Sequence, residues 1–66
     1  MDVPQTEQEI DAYLFGTGLT VGDYFLDGEI IGYKVNGRDY DLHFNHEGLA
    51  AACRTRLMGL GVRQLP

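Results

Sequence analysis

Asp41, His43, His46 and Glu47 fall within one stretch of seven residues, and Cys53 lies seven positions beyond His46. Two imidazoles flanked by carboxylates make a donor set for zinc and related divalent ions. An imidazole close to a thiol is also the pairing that activates a cysteine nucleophile. Neither arrangement is well served by its spacing. Strand alternation sends Asp41 and His43 to one sheet face, whereas His46 begins a helix and would have to turn back. Cys53 falls between Leu49 and Leu57 on an apolar helix stripe, the setting of a small, inert, buried side chain. The expectation is therefore no catalytic residue, no metal and no cofactor: a protein that is not an enzyme.

Glycines and cations point the same way. The run from Gly16 to Gly22, GTGLTVG, has neither the Lys-Ser/Thr of a phosphate loop nor the strand-to-helix context of a dinucleotide fingerprint. Only five Lys and Arg face ten Asp and Glu, for a net charge of −5. Residues 1–33 hold Asp2, Glu7, Glu9, Asp11, Asp23, Asp27 and Glu29 and no Lys or Arg; all five cations lie beyond them. Such a field repels nucleic acid and anionic membranes and steers the chain towards basic surfaces. Three groupings of carboxylates stand out. Glu7 and Asp11 are four apart on one helix, Asp39 and Asp41 are two apart on one strand face, and Asp23, Asp27 and Glu29 gather near a turn. Lys34 is placed to neutralise only Asp39.

The elements that must position these groups are legible from periodicity. In EIIGYKVNGRDYDLHF, residues 29–44, Asn36-Gly37 separates two alternating runs, the strongest short-range signal for a two-residue hairpin. It pairs Val35 with Arg38, Lys34 with Asp39, Tyr33 with Tyr40 and Ile31 with Leu42. Ile31, Tyr33, Val35, Tyr40, Leu42 and Phe44 then share an inner face; Ile30, Gly32, Lys34, Asp39, Asp41 and His43 share the outer one. Upstream, Thr6-Glu7-Gln8-Glu9 fits a capping box opening a helix over 7–15, with an apolar stripe of Ile10, Tyr13 and Leu14. Gly16 and Gly18 end it, and residues 1–5 read as a frayed lead-in.

Residues 19–26 support two readings. Thr20-Val21-Gly22-Asp23 repeats the capping pattern of a short helix, but Tyr24-Phe25-Leu26 before Asp27-Gly28 reads as a strand entering a second hairpin turn. The strand is preferred, over 22–26, pairing Phe25 with Ile30 and Tyr24 with Ile31. Asn45 is the expected cap of a last helix, whose face carries Leu49, Ala52, Cys53, Leu57 and Leu60 and which Gly59 ends. Val62–Leu65 reads as a short strand or an extended tail. The expected fold is one α+β domain over residues 1–66, ordered α-β-β-β-α. It is a three-stranded antiparallel meander with the N-terminal and C-terminal helices on one face.

Sixty-six residues are near the lower limit for an independent core. Apolar content of 44% and charged content of 23% are ordinary for a folded domain. The lone cysteine, the acidic start and the lack of a long apolar run lead to the expectation of a reducing, cytoplasmic setting. On the outer sheet face Phe25 and Ile30 stand with no element to cover them, apolar anchors rimmed by acids. The expected partner-binding set is Glu7, Asp11, Asp23, Phe25, Asp27, Glu29, Ile30, Asp39 and Asp41. The expected partner is a larger protein or complex with a basic surface, with no direct nucleic acid and no membrane. The alternative is a self-associating accessory protein, dimerising through the outer face or an edge strand.

In size, charge and α+β layout the chain resembles the small phage-encoded inhibitors of the anti-CRISPR type. Glu7, Glu9, Asp11, Asp23, Asp27, Glu29, Asp39 and Asp41 carry the likeness as a class, with no shared motif. It implies a non-enzymatic inhibitor of a nuclease effector in the producing or infected cell, acting by imitation of nucleic-acid phosphates in a basic channel or by another mode of docking, since not every member of that group is a phosphate mimic.

Overall fold

Asn36 and Gly37 adopt φ of 52° and 80°, the two successive left-handed residues that a type I′ hairpin turn requires. The register this turn imposes runs through the computed structural model, which describes residues 4–44 and 46–65. Strand β2 (Ile30–Val35) pairs antiparallel with β3 (Arg38–Asp41), Val35 opposite Arg38, Lys34 opposite Asp39 and Tyr33 opposite Tyr40. The Leu42 N–H donates to the Ile31 carbonyl at 2.8 Å, extending the pairing past the strand end.

Helix α1 (Glu7–Phe15) starts on the anticipated capping box. Thr6 Oγ1 accepts from the Glu9 N–H at 3.1 Å, and the Thr6 N–H donates to the Glu9 carboxylate at 3.2 Å. Ile10 and Leu14 of α1 and Leu49, Cys53 and Leu57 of α2 (Glu47–Gly59) form one core with Tyr24, Leu26 and Ile31 of the sheet. Both helices thus cover the same sheet face. The cover stops short of the hairpin tip. Val35 and Tyr40, on the inner face, remain 36% and 43% exposed, and Tyr40 stacks on Tyr33 with ring centroids 5.4 Å apart.

Four details depart from the sequence reading. First, the sheet has four strands, not three, and is mixed: its order is β3-β2-β1-β4. Strand β4 (Gln64–Leu65) lies parallel to β1 (Tyr24–Asp27), Leu26 opposite Gln64. A Schellman turn delivers it there. Gly61 (φ 81°) donates to Met58 at 3.1 Å and Val62 to Leu57 at 3.0 Å, and Val62 packs into the core beside Leu57. The left-handed residue is Gly61 rather than Gly59, which stays helical.

Second, the β1–β2 turn is Gly28-Glu29, not Asp27-Gly28, so Phe25 pairs with Gly32 and Tyr24 with Tyr33 rather than with Ile30 and Ile31. Gly28 has φ of 62° and Glu29 has no positive φ, the pattern of a type II′ turn with glycine first. Each partner moves by two residues, an even step, so Tyr24 and Leu26 keep the inner face and Phe25 the outer one. Third, residues 19–26 combine both readings. Val21–Asp23 is a 3-10 turn whose Thr20 N–H donates to the Asp23 carboxylate at 2.8 Å, and the strand starts only at Tyr24.

Fourth, the cap of α2 is His46, whose Nδ1 accepts from the Gly48 N–H at 3.0 Å. Gly48 is suited to this, since a Cβ there would lie 3.0 Å from the imidazole Cε1. Asn45, the expected cap, lies outside the described residues, as do the first three of the lead-in.

Candidate functional site

With both helices on the inner face, the opposite face of the sheet has no layer over it among the described residues. Alternation and register give its composition. One cross-strand row is Phe25, Gly32 and Asp41; another is Lys34 and Asp39; a third is Leu65, Asp27 and Ile30. Glu29 sits in the turn beside the third row. Ile30 is half-exposed, at 50%. Lys34 Nζ lies 3.2 Å from Asp39 Oδ1, the anticipated pairing, and Asp41 has no such cation among the described residues.

Phe25 does not stand out as an exposed anchor. It is only 8% exposed, because the outer end of its ring occupies the space that Gly32 leaves open: a Cβ on Gly32 would fall 3.0 Å from Phe25 Cε1 and closer still to Cε2 and Cζ. A mid-strand glycine marks such an approach, so the signal was present in the sequence. Ile30 is the apolar group this face presents.

The remaining members of the expected set divide by what holds them. Glu7 and Asp11 lie in the helical layer, away from the open face. Arg56 Nε and Nη2 donate to the two Asp11 oxygens at 2.8 and 2.9 Å, and Arg56 Nη1 lies 3.5 Å from Glu7. The like-charged pair on α1 is thus bridged by a cation of α2. Its hydrogen bond to Arg56 holds the Asp11 carboxyl below the usual aspartate range and raises the Arg56 guanidinium. Only the tertiary fold brings residues 11 and 56 together. Glu9, hydrogen-bonded by the Gln5 backbone and by Thr6, also sits below the ordinary glutamate value. Asp23 serves its own turn. What the structure gathers on the open side is Asp27, Glu29, Ile30, Asp39 and Asp41.

The residues first considered for chemistry are spread out. Cys53 is fully buried, and loss of hydration pushes its thiol up to about 11, so it is protonated at neutral pH. His46 Nδ1 is occupied by its cap, and His43 is exposed beyond the end of β3. No three His, Cys, Asp or Glu among the described residues are grouped closely enough to hold a metal ion. Two concavities, of about 490 and 470 Å³, are lined among the described residues by neither His nor Cys. The first lies between α1 and α2 around Ile10 and Arg56; the second is lined by Tyr13, Tyr24, Tyr33 and Val35. No described helix is long and apolar enough to cross a membrane.

Compared with protein-family models, with curated proteins and with solved structures, the chain matches none.

Proposed function

We propose that this is a non-enzymatic acidic binding protein that docks on a basic protein surface through the open sheet face and acts as an inhibitor or adaptor. The supporting observation is the division of its carboxylates. Once those held by helix caps and by Arg56 are set aside, Asp27 stands opposite the exposed Ile30 with Glu29 in the adjoining turn. Asp41 and Asp39 follow on the same face one and two cross-strand rows further on, with Lys34 as the one cation in those strand rows. An apolar centre rimmed by charges of one sign suits a partner of the opposite sign. Asp39 and Asp41 lie on one strand of roughly 3.3 Å rise per residue and Asp27 two strands away, a rigid negative face able to occupy a channel built for nucleic-acid phosphates, as inhibitors of the anti-CRISPR type do.

The same charges disfavour face-to-face self-association, because two copies of this surface would oppose carboxylates to carboxylates.

The test is capture of binding proteins by the immobilised chain from lysate of the producing cell, beside an Asp27→Lys/Asp41→Lys variant. Docking through this face requires that capture fall steeply between about 50 and 500 mM salt, that the variant lose it, and that an oligonucleotide compete for the captured partner. Equal capture by the variant overturns the proposal.

A further inference from the structure

Among the described residues the acidic face ends at an open edge. β3 is the outermost strand of the sheet, and its four residues are all exposed. In an antiparallel pair the backbone groups of successive residues point alternately towards and away from the neighbour. Leu42 donates to Ile31 of the β2 side, so the even-numbered residues spend their backbone groups on β2. Asp39 and Asp41 turn theirs outward. Each offers an N–H and a C=O, the template to which an incoming strand pairs. Their side chains stand on the outer face, and between them Tyr40 presents a 43% exposed ring on the inner face.

Charge decides which strand fits. A second copy of β3 would set aspartates beside aspartates in either direction, and like charges opposite one another destabilise a strand pair. Lys34 neutralises Asp39 from the opposite side of β3, but Asp41 has no cation among the described residues. We infer that the β3 edge accepts an extended, basic strand of the partner, with Lys or Arg at two alternate positions facing Asp39 and Asp41 and an apolar residue between them beside Tyr40. This rests on the acidic-binding reading above and specifies its geometry: main-chain pairing at the edge supplies the alignment, and the aspartates select the sign.

The experiment uses the whole chain, isotopically labelled, with an acetylated octapeptide of alternating Lys and Val at about 20 mM salt. Edge pairing requires that the Asp39 and Asp41 amides shift and become protected from hydrogen exchange. N-methylation of alternate peptide residues, which preserves charge but removes main-chain donors, should weaken binding about tenfold or more. A Glu-Val peptide should not bind, and Asp39→Ser/Asp41→Ser should lose the Lys-Val peptide while its amide spectrum remains that of the folded protein. If the Lys-Val peptide and its N-methylated form bind equally, with the Asp39 and Asp41 amides unprotected, edge pairing is wrong and the acidic face stands. If neither peptide binds at this salt, both fail.

Discussion

Replacing Gly32 by alanine should destabilise the protein, although alanine is ordinarily the better strand residue. Two opposed terms set the size of the effect. An alanine inside a strand gains about 0.5–1 kcal/mol over glycine through backbone entropy. Here, however, the new methyl would lie 2.5 Å from Phe25 Cε2 and 3.0 Å from Cε1, too close for either ring or strand to stay in place. Swinging the ring into solvent forfeits its burial, about 1.5–3 kcal/mol for a large apolar side chain. The second term is larger, and the net loss is about 1–2 kcal/mol. Urea denaturation should show it as a lower midpoint at unchanged slope.

The decisive comparison is the same substitution in a Phe25→Ala background. With the ring gone the three atoms nearest the methyl are gone too, and Gly32→Ala should become neutral or stabilising by up to about 1 kcal/mol. The sign reversal is a coupling between the two positions, measured by a double-mutant cycle. If Gly32→Ala raises stability with Phe25 in place, or costs the same in both backgrounds, the ring does not rest on Gly32. The open face would then carry a second apolar anchor.

Asp11→Asn should flatten the acid limb of the stability profile. The Arg56 hydrogen bond holds the Asp11 carboxyl below its ordinary value, so its stabilisation is present above the unfolded value of about 3.9 and is lost as pH falls through the folded one; an unchanged limb below pH about 4 refutes this. Tyr24→Phe removes the hydroxyl that donates to the Leu14 carbonyl near the end of α1, and thermal or chemical melts should register a loss of about 1–3 kcal/mol. Burial raises Tyr24 to about 12 and Cys53 to about 11, so both stabilise the fold below their unfolded values, near 10 and 8.5, and that contribution drains away as pH rises through the folded values. A phenol titration in which Tyr24→Phe does not delete the last-ionising group contradicts that burial. His46 caps α2 through its Nδ1, which accepts from the Gly48 N–H. His46→Ala should therefore cost about 0.5–2 kcal/mol in chemical melts and His46→Asn much less, and equal losses in the two remove the cap from the account.

Local chemistry was read well where one or two residues suffice. The Asn36-Gly37 turn set the β2–β3 register, the Thr6–Glu9 box set the start of α1, and the spacing of Leu49, Cys53 and Leu57 set the buried side of α2. Errors cluster where a competing local signal sat one or two residues away. Asp27-Gly28 and Gly28-Glu29 are both acceptable hairpin turns, and glycine takes positive φ at the first position as readily as at the second. Asn45 and His46 can both cap, and Gly59 and Gly61 can both follow a helix; the packing of Val62 against Leu57 selects the latter. The fourth strand, one of two readings of Val62–Leu65, is left undecided by the sequence for another reason. Two residues carry no periodicity, and their pairing depends on where α2 releases the chain. At the site, strand parity placed Ile30, Asp39 and Asp41 on the outer face, whereas Asp27, read as a turn residue, belongs to β1 opposite Ile30, and the Arg56 bridge to Asp11 spans 45 residues and has no local signature.

The distribution of negative charge follows from what each part of so small a fold must do. α1 has no basic residue, so its acids at the first turn are useful as caps and dipole partners, and the one that lies further along, Asp11, is tolerable because α2 brings Arg56 across to it. That bridge ties the two helices together at the partly buried rim of the core, where an ion pair is screened less than at an open surface. On the sheet no comparable need exists. Lys34 already answers Asp39 across the hairpin, and Asp27 and Asp41 answer nothing among the described residues. Aspartate is among the poorer strand formers, so three of them in two four-residue strands, Asp27 on β1 and Asp39 and Asp41 on β3, work against the intrinsic preference of the elements that carry them. Keeping bare edges from self-pairing accounts for the two on β3. It does not account for Asp27, which lies on an interior strand between Ile30 and Leu65. That aspartate, flanked by apolar neighbours on a face uncovered among the described residues, is where the fold gains least from a charge and where the proposed basic partner would gain most.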